Sequence, residues 1–181
     1  MGAKNISFTV HPFNENLINF NTSKRSPSYE ISMFCNYWPS KYTFLNMDGV
    51  TNRKEIVTEL KIIYGDRFQL FGKNWNKDFN ATELMYKDVP KFQFDSKVNL
   101  GWEHYSKIPF YFSNRLPNSF FLGVPYFSNK IIGLENILPY SNFLSFKNTN
   151  DLHHKINHLI SDEDLYNEIS LALQNFSNKN F

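Results

Sequence analysis

Arg115 and Asn118 have the residue types and spacing to bind a charged ligand. They stand three positions apart, which places them one turn apart on the same face of a helix. A guanidinium at the mouth of a helix, helped by free backbone N–H groups, can bind an anion such as a phosphate. The alternative is an arginine that only packs over the edge of a sheet.

The surrounding residues predict the elements that position this pair. Asn114 is a candidate N-cap, Pro117 is tolerated in a first turn, and Gly123 suits the end of a helix. Residues 124–127 are apolar or aromatic and predict a buried strand, after which we expect the chain to turn at 128–129. A helix end that faces a phosphate is an arrangement by which α/β proteins hold a nucleotide.

The sequence Phe-Gly-Lys-Asn-Trp at 71–75 offers a second candidate ligand site. Gly72 allows another backbone or a ligand to approach closely, and Lys73 could meet a phosphate as a point charge. An ordinary β-turn with an exposed lysine explains the same residues equally well.

Strand and helix patterns alternate along the chain. Tyr29 to Phe34 predicts a strand, Thr51 or Asn52 can cap a helix that runs to about Tyr64, and 67–71 predicts the next strand. Short loops join these elements, which is typical of a parallel sheet. The sequence therefore predicts a Rossmann-like α/β domain, with a parallel sheet flanked by helices.

The remaining segments extend this pattern. We expect a weak helix at 81–86, strands at 98–102 and 143–146, a helix at 150–160, and a last helix that starts from a Ser161–Asp164 capping box. Ligands of such folds lie beyond the carboxyl ends of the strands. Those ends are predicted at Cys35-Asn36, Gly72-Lys73, Asn99 to Trp102 and Ser128-Asn129.

Length and composition predict one domain at 29–181, preceded by a polar lead-in or linker at 1–28 that could hold a short strand at 6–10. The net charge of +2 gives no case for a nucleic-acid partner. No apolar run approaches the length of a membrane span, and the first 20 residues lack the apolar core of a signal peptide. We therefore expect a cytoplasmic protein.

Metal chemistry is not indicated. Cys35 is the only cysteine, so an internal disulfide or a cysteine-built zinc site is excluded, and a buried strand thiol is expected. His154 and His158 have zinc-ligand spacing without a third ligand, and the acids at 162–164 suit a helix start. The chain has no G-x-G-x-x-G, P-loop or G-x-S-x-G motif, which argues against a dehydrogenase, a kinase and a serine hydrolase.

In order and spacing, six short segments resemble the C-terminal, donor-binding domain of GT-B glycosyltransferases, in particular the group of spore-maturation CgeB-like proteins. The resemblance covers about 29–176. Its segments are Phe34-Cys35-Asn36, Asn52-Arg53, Phe71 to Trp75, Ser96 to Leu100, Arg115 to Gly123, and Asn150-Asp151-Leu152.

One position departs from the family pattern. Where the family phrase Arg-x-x-Glu has its acid, this chain has Asn118, which can accept a hydrogen bond but lacks the charge. The stretch can also be set against the fucosyltransferase-type phrase Thr-Glu-Lys, with Asn114 at Glu and Arg115 at Lys. In both alignments this chain has the cation, Arg115, and lacks the glutamate of the family phrase.

The resemblance implies a domain that binds a nucleotide-diphosphate sugar without a metal or other cofactor. Arg115 and Lys73 would balance the diphosphate charge, and Asn118 would face ribose or sugar hydroxyls. The candidates for packing on the base are Phe71, Trp75 and Phe94. The expected donor-binding residues are Asn36, Gly72, Lys73, Trp75, Asn99, Arg115 and Asn118.

The resemblance also implies partners. GT-B enzymes hold the acceptor on a separate N-terminal Rossmann domain, which residues 1–28 are too few to form. A glycan or protein acceptor held by an N-terminal-domain subunit is one expectation. A non-catalytic, degenerate binding or assembly module is the second, and an unrelated nucleotide-binding α/β protein is the third.

Overall fold

Five parallel strands form one sheet in the computed structural model, which describes residues 25–39 and 49–180. The strand order is β2-β1-β3-β4-β5. The strands are β1 (Tyr29–Phe34), β2 (Phe68–Phe71), β3 (Ser96–Leu100), β4 (Tyr126–Asn129) and β5 (Ser145–Phe146). Ile31 of β1 lies opposite Phe68 on one side and Val98 on the other. The predicted parallel sheet is confirmed.

Helices flank this sheet. They are α1 (Val50–Tyr64), α2 (Val89–Phe94), α3 (Arg115–Phe121), α4 (Ser141–Leu144), α5 (Thr149–Ser161) and α6 (Glu163–Asn180). Helix α1 contacts α5, whereas α3 contacts both α2 and α6. The helices α1, α5 and α6 supply buried core residues, among them Leu60, Ile156 and Leu173.

The strand order contains a reversal that creates a crevice. The chain steps from β1 to β2 in one direction and then crosses back past β1 to β3. Because such crossovers are right-handed, their helices lie on opposite faces of the sheet. The carboxyl ends of β1 and β3 therefore border an opening, which is where open α/β sheets bind ligands.

The central strands are buried on both faces. Ile31, Met33, Val98 and Leu100 on one face are each at most 1% exposed, and Ser32 and Asn99 on the other face are 0% exposed. The buried polar residues of these strands are paired, as in the hydrogen bond that the Ser96 hydroxyl donates to the Ser32 hydroxyl at 2.6 Å. The rigid central strands give the crevice a fixed floor.

The end of α3 changes the predicted start of β4. Gly123 has a φ of 67° and ends the helix, as expected. The Val124 N–H donates back to the Ser119 carbonyl at 2.9 Å, which keeps Val124 in the helix-terminal turn. Strand β4 therefore begins at Tyr126 rather than at 124, and the turn predicted at 128–129 is wrong because both residues belong to the strand.

Helix α1 begins without the side-chain cap predicted at Thr51 or Asn52. Gly49 precedes the helix with a φ of 83°, and no side chain caps it. A Cβ at Gly49 would lie 2.0 Å from the Trp102 indole nitrogen. The tertiary contact with Trp102 therefore leaves room only for glycine at this position, and the helix starts directly after it.

The capping box predicted at Ser161–Asp164 is also wrong. The Leu165 N–H donates to Asp162 Oδ1 at 2.9 Å, so Asp162 caps α6. The Ser161 hydroxyl instead donates to the His158 carbonyl at the end of α5.

Three further segments differ from expectation. The segment predicted as a weak helix at 81–86 contains an isolated bridge between Thr82 and Phe71, and the helix follows later as α2. The strand predicted at 98–102 lies at 96–100. The strand predicted at 143–146 is shortened to β5 by α4. The strand predicted at 6–10 lies outside the described residues.

Candidate functional site

Two arginines meet at the crevice between β1 and β3. Arg115, the first residue of α3, donates from Nη1 to the Phe34 carbonyl at the end of β1. Arg53 of α1 donates from Nη1 to the Asn36 carbonyl at 3.2 Å and from Nη2 to the Trp102 carbonyl at 2.5 Å. Both guanidinium groups therefore lie at the carboxyl edge of the sheet.

Arg53 joins the ends of two strands. It is 4% exposed, and its two hydrogen bonds connect the chain after β1 to the chain after β3. Burial, together with repulsion from Arg115, lowers the pKa of Arg53, although an arginine stays charged in proteins. Arg53 thus adds positive charge below the crevice while its hydrogen bonds shape the crevice floor.

Arg115 is half-buried and held by two protein groups. Its Nε donates to the Ser113 hydroxyl at 3.1 Å, and its Nη1 bonds the Phe34 carbonyl. Burial opposes the charged form, but neighbouring acidic groups, Tyr126 and Glu103 first among them, raise the pKa of Arg115. The group is a permanent, oriented cation.

A cavity of about 550 Å³ opens beside Arg115. It contains five of the seven predicted donor-binding residues, namely Asn36, Gly72, Lys73, Arg115 and Asn118. They come from the ends of β1 and β2 and from α3. Residues far apart in sequence are therefore assembled around one space that is large enough for part of a nucleotide.

The two cations border this cavity differently. Lys73 is exposed, and its backbone N–H donates to Asn36 Oδ1 at 2.8 Å, which ties the chain after β2 to the chain after β1. Arg115 is held from below by the sheet. Lys73 is exposed and Arg115 is held by hydrogen bonds, and both can face an anion in the same space.

The opposite wall of the cavity is largely apolar. It is formed by Leu84, Met85, Tyr86 and Val89, with Phe71 at the base. Met85 is 62% exposed and Tyr86 is 64% exposed. The Tyr86 hydroxyl accepts a hydrogen bond from the Asn114 side chain, which connects this wall to the start of α3. The cavity thus combines a cationic side with an aromatic and aliphatic side.

Trp75 and Asn99 do not line this cavity. The Trp75 indole N–H donates to the Cys35 carbonyl at 2.8 Å, and its ring stacks on Tyr37. Asn99 is fully buried, where its amide donates to the Gln93 carbonyl and the Ser119 hydroxyl. The structure therefore gives both residues contacts that support the fold around the cavity.

Phe94, one of the rings proposed to pack on a base, lies elsewhere. It packs against Leu122 and Val124, and the Arg25 guanidinium sits over its ring. Phe71 is at the cavity but only 2% exposed. The exposed ring on the cavity is that of Tyr86, which the sequence did not single out.

The start of α3 offers few backbone donors to an anion. The Leu116 N–H donates to the Ser113 carbonyl, and Pro117 has no N–H. Asn114 occupies the N-cap position, but its side chain makes no cap and reaches Tyr86 instead. The positive character of this corner therefore comes from the Arg115 side chain rather than from free backbone groups.

Glu103 is a residue of the site that sequence reasoning missed. It is 2% exposed and accepts hydrogen bonds from Ser113 and Tyr126. Asn129, which was expected in a turn, bonds both backbone groups of Glu103. The one available signal was an acid placed directly after the strand that the sequence predicts at 98–102.

Other expectations concern the surroundings of the site. Cys35 is buried, as predicted. Within 25–39 and 49–180 no group of three or more metal-ligating side chains converges. In the same part of the chain, the longest helices are too polar to cross a bilayer.

Solved structures show which known fold this architecture matches. The catalytic domain of cholesterol-alpha-glucosyltransferase from Helicobacter pylori matches with a TM-score of 0.56 and 10% identity, over 84% of this chain and 99% of that one. The C-terminal domain of a glycosyl transferase group 1 family protein (LpcC) from Francisella tularensis also has a TM-score of 0.56 and 10% identity, over 93% and 94%. The fold is that of the C-terminal half of a GT-B glycosyltransferase.

The family follows from a direct match of the sequence. The chain belongs to the glycosyl transferase-like family, whose model matches residues 52–180. That range includes most of α1, the cavity residues from Phe71 onward and the closing helix pair, whereas the cavity residues at the end of β1 precede it. TarM is similar over 87% of this chain but only 33% of its own, with a TM-score of 0.58 and 14% identity. No curated protein matches the chain.

Proposed function

We propose that this domain binds a nucleotide-diphosphate sugar in the cavity beside Arg115 for glycosyl transfer. The observation that carries the proposal is the pairing of two cations, Arg115 and Lys73, with an apolar wall in one space at the carboxyl ends of β1 and β2, beside α3. The two cations can neutralise a diphosphate, and the apolar wall can pack against a nucleobase. The family match supports glycosyl transfer as the class of reaction.

The cavity suggests how the donor lies. The diphosphate is placed between the Arg115 guanidinium and the Lys73 ammonium, and the base packs on the wall of Met85 and Tyr86. Asn118 faces ribose or sugar hydroxyls with its amide, which both donates and accepts. When the bond between the sugar and the diphosphate breaks, the same cations stabilise the negative charge on the leaving group, so the proposal requires no metal ion.

The acceptor side is proposed from the surface around the cavity. Exposed apolar side chains lie near this edge, including Trp38 at 55%, Tyr86 at 64% and Ile108 at 53% exposure. TarM is about three times as long as the part matched here. We propose that a second Rossmann-like domain or subunit covers this edge and holds a glycan or protein acceptor. A cytoplasmic location is part of the same proposal.

Calorimetric titration tests donor binding. UDP, GDP and their sugars are titrated at concentrations up to the millimolar range. Arg115→Ala is expected to weaken binding by about tenfold or more because it removes charge-assisted hydrogen bonds. Arg67→Ala is the matched control, since Arg67 is exposed and pairs with Glu30 away from the cavity. Absence of binding by every nucleotide would contradict the proposal.

A second candidate function is a non-catalytic nucleotide-sugar-binding or assembly module. The observation that favours it is Asn118, which lines the cavity without the charge of the family's acid. A donor-plus-glycan product assay separates the two functions. Products that disappear in Arg115→Ala rule out the non-catalytic function, whereas binding without products by the chain together with its acceptor domain favours it.

A further inference from the structure

Glu103 places a negative charge inside the protein next to the cavity. Its Oε2 accepts from the Ser113 backbone N–H at 3.1 Å. Its Oε1 accepts from the Ser113 hydroxyl at 2.9 Å and from the Tyr126 hydroxyl at 3.2 Å. Burial of a carboxylate is costly unless its oxygens are hydrogen-bonded, and here both oxygens are.

The backbone of Glu103 is held as firmly as its side chain. The Glu103 N–H donates to Asn129 Oδ1 at 2.7 Å, and Asn129 Nδ2 donates to the Glu103 carbonyl at 3.1 Å. Asn129 belongs to β4, so the sheet itself fixes the position of the carboxylate.

Ser113 connects this carboxylate to Arg115. A hydroxyl has a single hydrogen, which Ser113 donates to Glu103, so its oxygen lone pairs remain to accept from Arg115 Nε at 3.1 Å. Arg115 Nη1 is held by the Phe34 carbonyl. Among the described residues, Nη2 makes no hydrogen bond to protein, and it is the nitrogen left to meet a ligand.

The charge of Glu103 also offsets a repulsion. Arg53 and Arg115 are close enough for the charge of Arg115 to lower the pKa of Arg53, and Glu103 acts on both arginines in the opposite direction. Glu103 is the one fully buried acid among the described residues. It therefore compensates two cations that would otherwise push each other away from the crevice.

We propose that Glu103 is a positioning residue that fixes the Arg115 guanidinium in the cavity through the Ser113 hydroxyl. The consequence for ligand binding rests on the proposed function. The relay itself consists of the hydrogen bonds that link Glu103, Ser113 and Arg115, and these do not depend on a ligand.

Titration of UDP and GDP against the wild type and five variants tests the proposal. Ser113→Ala and Glu103→Gln are each expected to weaken nucleotide binding by about three- to tenfold, since each breaks the relay. Ser113→Thr keeps the hydroxyl and is expected to bind as the wild type does. In an Arg115→Lys background, Ser113→Ala is expected to have no further effect, because lysine has no Nε–H to orient.

A second measurement does not need the ligand. The Arg115 Nε–H signal in a nitrogen-15 NMR spectrum is expected to exchange slowly with water in the wild type and rapidly in Ser113→Ala. If no nucleotide binds the wild type but the Nε–H exchange still differs between the two proteins, the result supports the relay and contradicts the proposed function. If the wild type binds and Ser113→Ala binds equally well, or if the Nε–H exchange is the same in both, the relay is refuted. If Glu103→Gln does not fold, the comparison of Ser113→Ala with the wild type still tests the relay.

Discussion

The Cys35 carbonyl oxygen lies 1.9 Å from the point that a Cβ at Gly72 would occupy. The chain after β2 therefore passes directly against the chain after β1, which only a residue without a side chain permits. Gly72 also has a φ of 154°. The hydrogen bond from Lys73 to Asn36 depends on this approach, and with it the placement of one of the two cavity cations.

Gly72→Ala is expected to destabilise the fold by about 2 kcal/mol or more, because the new methyl group collides with backbone and the residue is strained. Urea denaturation measures the change. Gly65→Ala is the matched control, since Gly65 also has a positive φ but no atom within 4 Å of the added Cβ. The control should lose less stability. Equal losses would show that the close approach to Cys35 contributes nothing.

The Cys35 thiol predicts a pH dependence of stability. Burial raises the pKa of Cys35 from 9.0 to about 11, against the opposing effect of Arg53 and Arg115. The folded state binds this proton more tightly than the unfolded state. The resulting stability is present in full below pH 9 and is lost as pH rises through 11, by about 2–3 kcal/mol.

This loss is measured by comparing unfolding free energies at pH 8 and pH 11 for the wild type and Cys35→Ala. The wild type is expected to fall more steeply, since only it must ionise a buried thiol. A thiol reagent at pH 8 should also leave the native protein unmodified. Parallel pH curves for the two proteins would contradict the prediction.

Asn118→Glu tests the missing acid of the cavity. If Asn118 faces ribose or sugar hydroxyls, the new carboxylate should strengthen binding of the nucleotide by up to about tenfold through charge-assisted hydrogen bonds. Titration gives the affinity, and Asn118→Gln serves as the control for side-chain length. An equal gain in both variants would assign the effect to length rather than to charge.

The N-terminal cap of α6 gives Asp162 and its neighbour Ser161 different expected contributions to stability. Asp162→Ala is expected to cost about 1 kcal/mol of stability because the Leu165 N–H loses its acceptor. Ser161→Ala should cost less, since its hydroxyl contacts only a carbonyl at the end of α5. Thermal melting of the two variants is sufficient to rank them, and the opposite ranking would restore the capping box predicted at Ser161.

Patterns that depend on near neighbours were predictable from the sequence. The apolar spacing in α1, α5 and α6, the strand at Tyr29–Phe34 and the stop at Gly123 all follow from local periodicity and backbone preference. The parallel sheet followed from the alternation of strands and helices. Five of the seven predicted site residues could be grouped because carboxyl ends of parallel strands share one edge.

Features that depend on distant contacts were not predictable. Whether Asn99 faces a ligand or the core depends on its partners Gln93 and Ser119 from neighbouring elements. Strand β4 starts two residues late because the end of α3 holds Val124. Local sequence propensity contains no information about either the orientation of Asn99 or the start of β4.

By itself, the sequence determined the fold class, the order of its elements and the two cations that could meet a phosphate. Only the tertiary structure decided that Lys73 and Arg115 share a cavity, that Tyr86 supplies its exposed ring and that Glu103 is linked to Arg115 through Ser113. The physical reason is that such a site consists of hydrogen bonds and charge compensation between strand ends. The order of the strands in the sheet, rather than proximity along the chain, determines which residues form these interactions.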